Sequence, residues 1–356
     1  MNEPSAGRVS VIIPARNEER NIERVIGSLA GQERLQEIIA VDDASTDRTA
    51  EILQHLRDEI SFLRVIHNEG LPEGWTGKTY ACAVGAAQAQ GEWLLFTDAD
   101  TEHSSGSVAY WVGRAERERL DLVSLSPGQV VAKWWEKAVI PYVFVQLARW
   151  YPFEEISQAD SERAAANGQY ILVRREIYLE AGGFESVRGE ILDDVRIAER
   201  VKSSGRRIFF APGADWVRTR MYVSFGAMWE GWTKNLYLLA EGNWGRGVAA
   251  VAQAWLLDVV PLVTFAVLGA MTVASRQGGL ATILAVACLF FALARRARYG
   301  RELSKLGFDR SLANYQWPGA ALAGLLILNS FCAYGLGRRI EWKGRTYSGD
   351  RLRKPR

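Results

Sequence analysis

The sequence predicts an α/β fold, an open and mostly parallel sheet, followed by a group of membrane helices. Three observations carry this. Short apolar runs alternate with polar helical stretches over the first two thirds of the 356 residues. Charged residues cluster just beyond the carboxyl ends of those runs, where open α/β sheets bind their ligands. The last third is dominated by long apolar runs separated by arginine clusters.

In chain order, Arg8 to Ile13 reads as a buried strand, and Pro14 to Glu18 as a turn into a helix ending near Leu29. Pro14 suits that turn because its fixed φ stops the strand. Glu37 to Val41 is a second strand, after which Asp42-Asp43-Ala44-Ser45-Thr46-Asp47 opens another helix that Ser45 or Thr46 can cap. Acids also favour the positive end of a helix, a purely structural use for this loop. A third strand, Phe62 to Ile66, precedes a loop with Gly70, Gly74, Gly77 and Lys78, and a small-residue helix covers Thr79 to Gln90.

The chain then delivers Thr97-Asp98-Ala99-Asp100 from the apolar run Trp93 to Phe96. Two carboxylates at i and i+2 beyond a buried strand can meet one hard divalent cation, which keeps oxygen ligands and commonly shares a substrate phosphate. A solvated turn gives the same letters. The sheet edge would collect Glu18, Asp43, Lys78, Asp98 and Asp100, mostly acids. Acids alone repel a nucleotide diphosphate, so a divalent ion is needed as a bridge. Lys78 adds a point charge for the phosphate or is simply a solvated loop lysine.

Composition excludes several classes. Formal net charge is +2, so bulk charge implies no nucleic-acid partner. Cys82, Cys288 and Cys332 are far apart and odd in number, which argues against a disulfide framework or zinc spacing and fits a reducing compartment. Met1 to Gly7 is short and polar, unlike a signal peptide. Overall 48% hydrophobic and 24% charged is an ordinary average that hides the split between the two parts.

The runs Val11-Ile12-Ile13-Pro14-Ala15-Arg16-Asn17-Glu18, Val41-Asp42-Asp43-Ala44-Ser45-Thr46-Asp47 and Thr97-Asp98-Ala99-Asp100 together resemble a family 2 glycosyltransferase with the Rossmann-like GT-A fold. The resemblance covers roughly the first 240 residues. It implies nucleotide-sugar binding by Pro14, Ala15, Arg16, Glu18, Asp42, Asp43, Lys78 and Asp98, and Mn2+ or Mg2+ on Asp98 and Asp100. Gly74-Trp75-Thr76-Gly77-Lys78 is similar to the membrane-associated branch with hopanoid-associated, carotenoid and ceramide glycosyltransferases. The family leans towards UDP-sugars.

A second acidic element, Asp193-Asp194, follows Gly182-Gly183-Phe184 and resembles the family's Glu-Asp pair, with Asp193 in place of the glutamate. The resemblance implies Asp194 as catalytic base beside Asp193. Inverting transfer to a hydroxyl needs such a base, while a metal neutralises the departing diphosphate. Otherwise the two acids begin a helix to Ser203, favoured by its dipole. The family's polymerases carry a Gln-x-x-Arg-Trp motif; here Met228-Trp229-Glu230-Gly231-Trp232 keeps only a tryptophan, which favours single-sugar transfer with Trp229 and Trp232 on the acceptor side.

Val131 to Phe153 carries Trp134, Trp135, Tyr142, Phe144, Trp150 and Tyr151 between Lys133, Lys137 and Arg149. This suits a helix in the headgroup region, or an aromatic face packed inside the protein. Val248 to Ala274 and Gly319 to Gly337 are long enough to cross a bilayer, and Leu280 to Ala294 is marginal. An acid inside such a run, Asp258, should face protein or a polar cavity. Arg295, Arg296, Arg298 and Arg301 mark one flank as cytoplasmic, yet Arg338, Arg339, Lys343, Arg345 and Arg351 claim the same side.

The expectation is therefore a GT-A domain over 1–240 with interfacial helices, a membrane domain over 248–345 with two to four apolar segments, and a basic tail over 346–356. It would be a multi-pass protein of the cell (inner) membrane with a cytoplasmic catalytic domain. It would move one sugar from a nucleotide-sugar to a membrane lipid hydroxyl, such as a hopanoid, carotenoid or sphingolipid-like acceptor. Transfer to a polyprenyl phosphate and a non-catalytic nucleotide-sugar-binding membrane protein are the alternatives.

Overall fold

In the computed structural model, residues 7–275, 279–336, 340–342 and 345–347 are described. Residues 1–6, Arg338, Arg339, Lys343 and Arg351 lie outside them. The chain divides into two compact units, residues 1–130 with 151–220, and residues 131–150 with 221–356.

The elements run β1 (Val9–Ala15), α1 (Ile22–Ala30), β2 (Leu35–Asp42), α2 (Thr49–Glu59), β3 (Leu63–His67), α3 (Gly77–Gln88), β4 (Trp93–Phe96), β5 (Thr101–His103) and α4 (Ser107–Glu118). They continue with β6 (Leu122–Ser126), β7 (Gly128–Gln129), α5 (Trp134–Trp150), α6 (Phe153–Ser157), β8 (Ile171–Arg174), α7 (Arg175–Glu180), α8 (Asp193–Ser203), β9 (Ile208–Pro212) and β10 (Val217–Thr219). Then follow α9 (Phe225–Leu239), α10 (Trp244–Ala252), α11 (Val260–Ser275), α12 (Leu280–Lys305), α13 (Gln316–Gly335), β11 (Ile340–Trp342) and β12 (Arg345–Tyr347).

The first unit is built on a seven-stranded sheet ordered β3-β2-β1-β4-β8-β6-β9. Its strands are parallel except β8, which runs antiparallel to both β4 and β6. Alternate residues of β1 serve opposite faces, as a strand requires. Val11 and Ile13 pack with Ile22, Val25 and Leu29 of α1 on one face. Ile12 packs with Ala81 and Cys82 of α3 and Ile197 and Ala198 of α8 on the other. The small residues of α3 allow a close approach: a Cβ on Gly85 would stand 2.6 Å from Ile12 Cγ2. A smaller sheet, β5-β10-β7, lies in the same unit.

The second unit is helical. Among the described residues three stretches are long and apolar enough to cross a membrane: Trp244–Ala274, Leu280–Lys305 and Arg310–Gly335. The run judged marginal over Leu280 to Ala294 is thus the first part of a 26-residue helix. α5 packs against α13, and Trp135, Tyr142, Phe144 and Trp150 are buried while Trp134 remains 60% exposed. Of the two readings of this aromatic stretch, the packed one fits Trp135, Tyr142, Phe144 and Trp150, whereas Tyr151 is half-buried and Trp134 exposed.

Asp258 sits in a π-helical segment, Gln253–Val259, and faces protein as expected. It accepts hydrogen bonds from Tyr142 Oη (2.7 Å), Arg295 Nε (2.8 Å) and Gln316 Nε2 (3.0 Å). Arg295 is therefore an internal partner and not a flanking charge of the kind that sets topology. Arg298 and Arg149 are paired as well, both with Glu302.

Candidate active site

The site is assembled at the carboxyl ends of β1, β2 and β4. Thr97 fixes the turn after β4: its hydroxyl donates to the Gln169 carbonyl (2.8 Å) and lies 3.0 Å from His103 Nε2. The half-buried Asp98 and Asp100 follow on that anchored turn. His103 is buried, and desolvation drives its pKa down to about 3, so it stays a neutral hydrogen-bonding group.

Lys78 enters from the first turn of α3, whose N-cap Thr76 accepts from Thr79 N–H (3.2 Å). Its Nζ lies 2.7 Å from Asp98 Oδ1. α8 begins with the two acids Asp193 and Asp194. Asp194 Oδ2 accepts from Gly168 N–H (2.9 Å), and its Oδ1 accepts from Val195 N–H (2.8 Å). Asp193 is buried, and its Oδ2 has no hydrogen-bond partner among the described residues. Pro14, Lys78, Asp98, Gly168 and Asp193 line one crevice floored by Cys82 and Phe96.

The charges in this crevice are mutually dependent. Burial alone would lower the Lys78 ammonium, but Asp98, Asp193 and Asp194 outweigh it and hold it well above the usual lysine value. Burial raises the Asp193 carboxyl against the pull of Lys78, with Asp194 and Asp98 adding to the rise. Asp194 is raised too, again by burial first, while Lys78 and its two N–H donors oppose the shift. A buried group of carboxylates around one ammonium, with shifted proton affinities, is the electrostatic character expected of a functional site.

A neighbouring group of predicted residues lies on the β1 and β2 loops. Arg16 Nη1 donates to the Asp43 carbonyl (2.7 Å) and is 3.9 Å from Asp43 Oδ2, while Asp43 N–H donates to Ala15 O (2.8 Å). Asp42 accepts from Ser45 N–H (3.2 Å) and lies 3.2 Å from His67 Nδ1. Glu18 holds the turn together, accepting from Asn21 Nδ2 (2.8 Å) and donating its N–H to Thr49 Oγ1 (2.8 Å). Asn17 (φ 55°) and Ala44 (φ 54°) adopt left-handed conformations that strain an alanine.

Neither Ser45 nor Thr46 caps α2, contrary to expectation. The N-cap position falls on Arg48, which makes no side-chain cap bond, and Asp47 just before it accepts from Thr49 N–H (3.0 Å). Ser45 and Thr46 instead bind Asn17 of the β1 loop. Gly168, His67 and His103 were not foreseen as site residues. Trp229 and Trp232 belong to α9 of the second unit. Trp232 is 2% exposed, edge-on to Phe144, whereas Trp229 is half-exposed beside Phe225.

Among the described residues, no group of three or more His, Cys, Asp or Glu is arranged to hold a metal by itself. Asp98 and Asp100 supply oxygen donors from one turn, with the Lys78 ammonium against the first. That donor set fits a hard divalent cation whose remaining ligands come from a diphosphate or water, the habit of Mg2+ in particular.

Residues 10–181 match the family described as Glycosyl transferase family 2. A 4,4'-diaponeurosporenoate glycosyltransferase of Staphylococcus haemolyticus (strain JCSC1435) is 27% identical over 350 residues, covering 96% of this chain and 88% of the relative. One of the same name from Staphylococcus aureus (strain USA300) is 26% identical over 255 residues, covering 71% of this chain and 66% of the relative. The mannosyltransferase PcManGT from Pyrobaculum calidifontis, solved with GDP-Man and Mn2+, superposes with a TM-score of 0.50 at 20% identity over 90% of this chain and 87% of its own. With its sheet order, its strand-end acids and the family match in agreement, residues 10–181 are a family 2 glycosyltransferase domain on the GT-A fold, and the chain is a glycosyltransferase.

Proposed function

We propose that this enzyme is anchored in the cell (inner) membrane by its apolar helices, with the GT-A domain in the cytoplasm. It moves one sugar, with inversion, from a nucleotide-sugar to a membrane lipid of carotenoid type. The observation that carries the reading is the convergence of Lys78, Asp98 and Asp193 on one crevice, with Asp194 bonded to Gly168 of its lining and acting on the same ammonium. Pro14, Ala15, Arg16, Glu18, Asp42 and Asp43 would hold the nucleotide, and Asp98 and Asp100 a divalent ion on its diphosphate. When bound, that ion neutralises charge growing on the leaving group. Asp194, held by Gly168 N–H, is positioned to take the proton of an acceptor hydroxyl, and its burial, with the like charge of Asp98, raises its proton affinity.

A UDP-sugar is the proposed donor, and the acceptor class follows the relatives named for a carotenoid. That name denotes a carboxylate, which favours a second reading in which the acceptor is already anionic. A polyprenyl phosphate would behave alike. Neither needs a general base.

The experiment is transfer from a panel of radiolabelled nucleotide-sugars into native lipid extract by the detergent-purified full chain, with Mn2+ or with EDTA. Metal-dependent label in the organic phase, lost in Asp100→Ala, is the expected result. Folded protein that binds UDP and Mn2+ but transfers no sugar to any lipid would reduce the chain to a binding protein.

A further inference from the structure

The carboxylate assigned to the divalent ion is already occupied by a cation of the protein itself. Lys78 Nζ is 2.7 Å from Asp98 Oδ1, a full hydrogen-bonded ion pair and not a distant neighbour. The ammonium is also confined. A Cβ built on Gly168 would stand 2.7 Å from Lys78 Nζ, so the ammonium lies against a bare stretch of backbone and a side chain there would push it aside. The start of α3 is tied down from outside: Thr76 N–H and Thr79 Oγ1 both donate to the Arg188 carbonyl, at 2.8 and 2.7 Å.

A divalent ion and an ammonium repel each other, strongly so in a half-buried crevice where the effective dielectric is low. The ion pair must therefore loosen before a metal can use Asp98 fully. Asp193 and Asp194 attract the ammonium but lie on α8, and Asp194 is engaged by two N–H donors. A nucleoside diphosphate is the anion that could draw Lys78 away, since it arrives with the metal and a lysine is a good point-charge partner for phosphate.

We propose that Lys78 is an internal counter-ion that holds Asp98 in the unloaded enzyme and yields it to the divalent ion only when a nucleoside diphosphate takes the ammonium. This rests on the metal and donor reading given above. Its consequence is reciprocal: metal alone binds weakly, diphosphate alone binds weakly, and each tightens the other by the same factor. The enzyme then avoids holding a metal without a donor.

The test is Mn2+ binding, read from the free-ion electron paramagnetic resonance signal, on the detergent-solubilised full chain with and without UDP or GDP. For the wild type, the nucleotide should tighten Mn2+ by about tenfold or more, within the usual range of coupling between sites. In Lys78→Met, Mn2+ alone should bind about tenfold tighter than in the wild type, and the further tightening by nucleotide should be smaller than in the wild type. Gly168→Ala keeps the charge but displaces the ammonium, and should also tighten Mn2+ alone; it decides the matter if Lys78→Met does not fold. Mn2+ affinity without nucleotide unchanged or weakened in the folded variants, while the wild type takes Mn2+ with nucleotide, overturns the counter-ion proposal and leaves the metal site standing. A wild type that binds no Mn2+ even with nucleotide overturns the metal reading and this proposal with it.

Discussion

Gly168 N–H donates to Asp194 Oδ2 at 2.9 Å across 26 residues of sequence. The bond fixes a carboxylate at the start of α8 against the segment leading into β8. An asparagine can keep this hydrogen bond through its amide oxygen, but it gives up the acceptor that Oδ1 presents to Val195 N–H and cannot take a proton. Asp194→Asn should therefore fold with a modest loss of stability and bind UDP as the wild type does, while transfer to a hydroxyl acceptor falls roughly 10²- to 10⁴-fold. Single-turnover transfer rates with melting temperatures as control would check this. A loss of less than threefold would identify an acceptor that is already anionic.

His103 makes stability depend on pH. Its imidazole is buried, and desolvation lowers its pKa from 6.5 to about 3. As pH falls below 6.5, the unfolded chain takes up a proton that the folded chain refuses, so stability is present above 6.5 and lost below it. At pH 5 the loss amounts to about 2 kcal/mol. Melting curves between pH 7 and pH 5 should show a clear drop in the wild type and a smaller one in His103→Gln. Equal slopes would mean that the imidazole is not held neutral.

The strands and the acids at their ends were legible because buried parallel strands are near-continuous apolar runs, and a carboxylate directly beyond one breaks the pattern visibly. Asp98 after Trp93 to Phe96 is the clearest case. The antiparallel direction of β8 was not legible, since an apolar run carries no sign of which way it pairs. Gly168 and His67 gave no local signal: each matters through a contact made more than 20 residues away, with Asp194 and Asp42. α5 was ambiguous for another reason. A helix apolar on most faces is equally suited to lipid and to the inside of a bundle, and only its burial against α13 separates the two.

The packing of α3 on the sheet should be sensitive at a single point. A Cβ on Gly85 would come within 2.6 Å of Ile12 Cγ2 and 3.2 Å of Val41 Cγ2, both fully buried side chains. Gly85→Ala should cost about 1–3 kcal/mol through overpacking. Ile12→Ala removes the obstructing methyl, so the double variant should be less destabilised than the two single losses added together. Thermal denaturation of the four proteins forms the cycle, and strict additivity would show that the two positions do not touch.

Asp258 and Arg295 join helices of the membrane unit through a buried ion pair, Nε to Oδ1 at 2.8 Å, with Tyr142 and Gln316 completing the carboxylate's hydrogen bonds. Removing one partner leaves the other charge uncompensated away from water. Asp258→Ala and Arg295→Ala should each lower stability by about 3–5 kcal/mol. An apolar pair of similar volume, Asp258→Leu with Arg295→Met, removes both charges and should recover most of that loss, because the cost comes from the orphaned partner more than from the missing attraction. Melting temperature in detergent is the measure. A double variant as unstable as the single ones would mean that the pair contributes a net attraction which an apolar replacement cannot match, and that the π-helical turn around Asp258 depends on it.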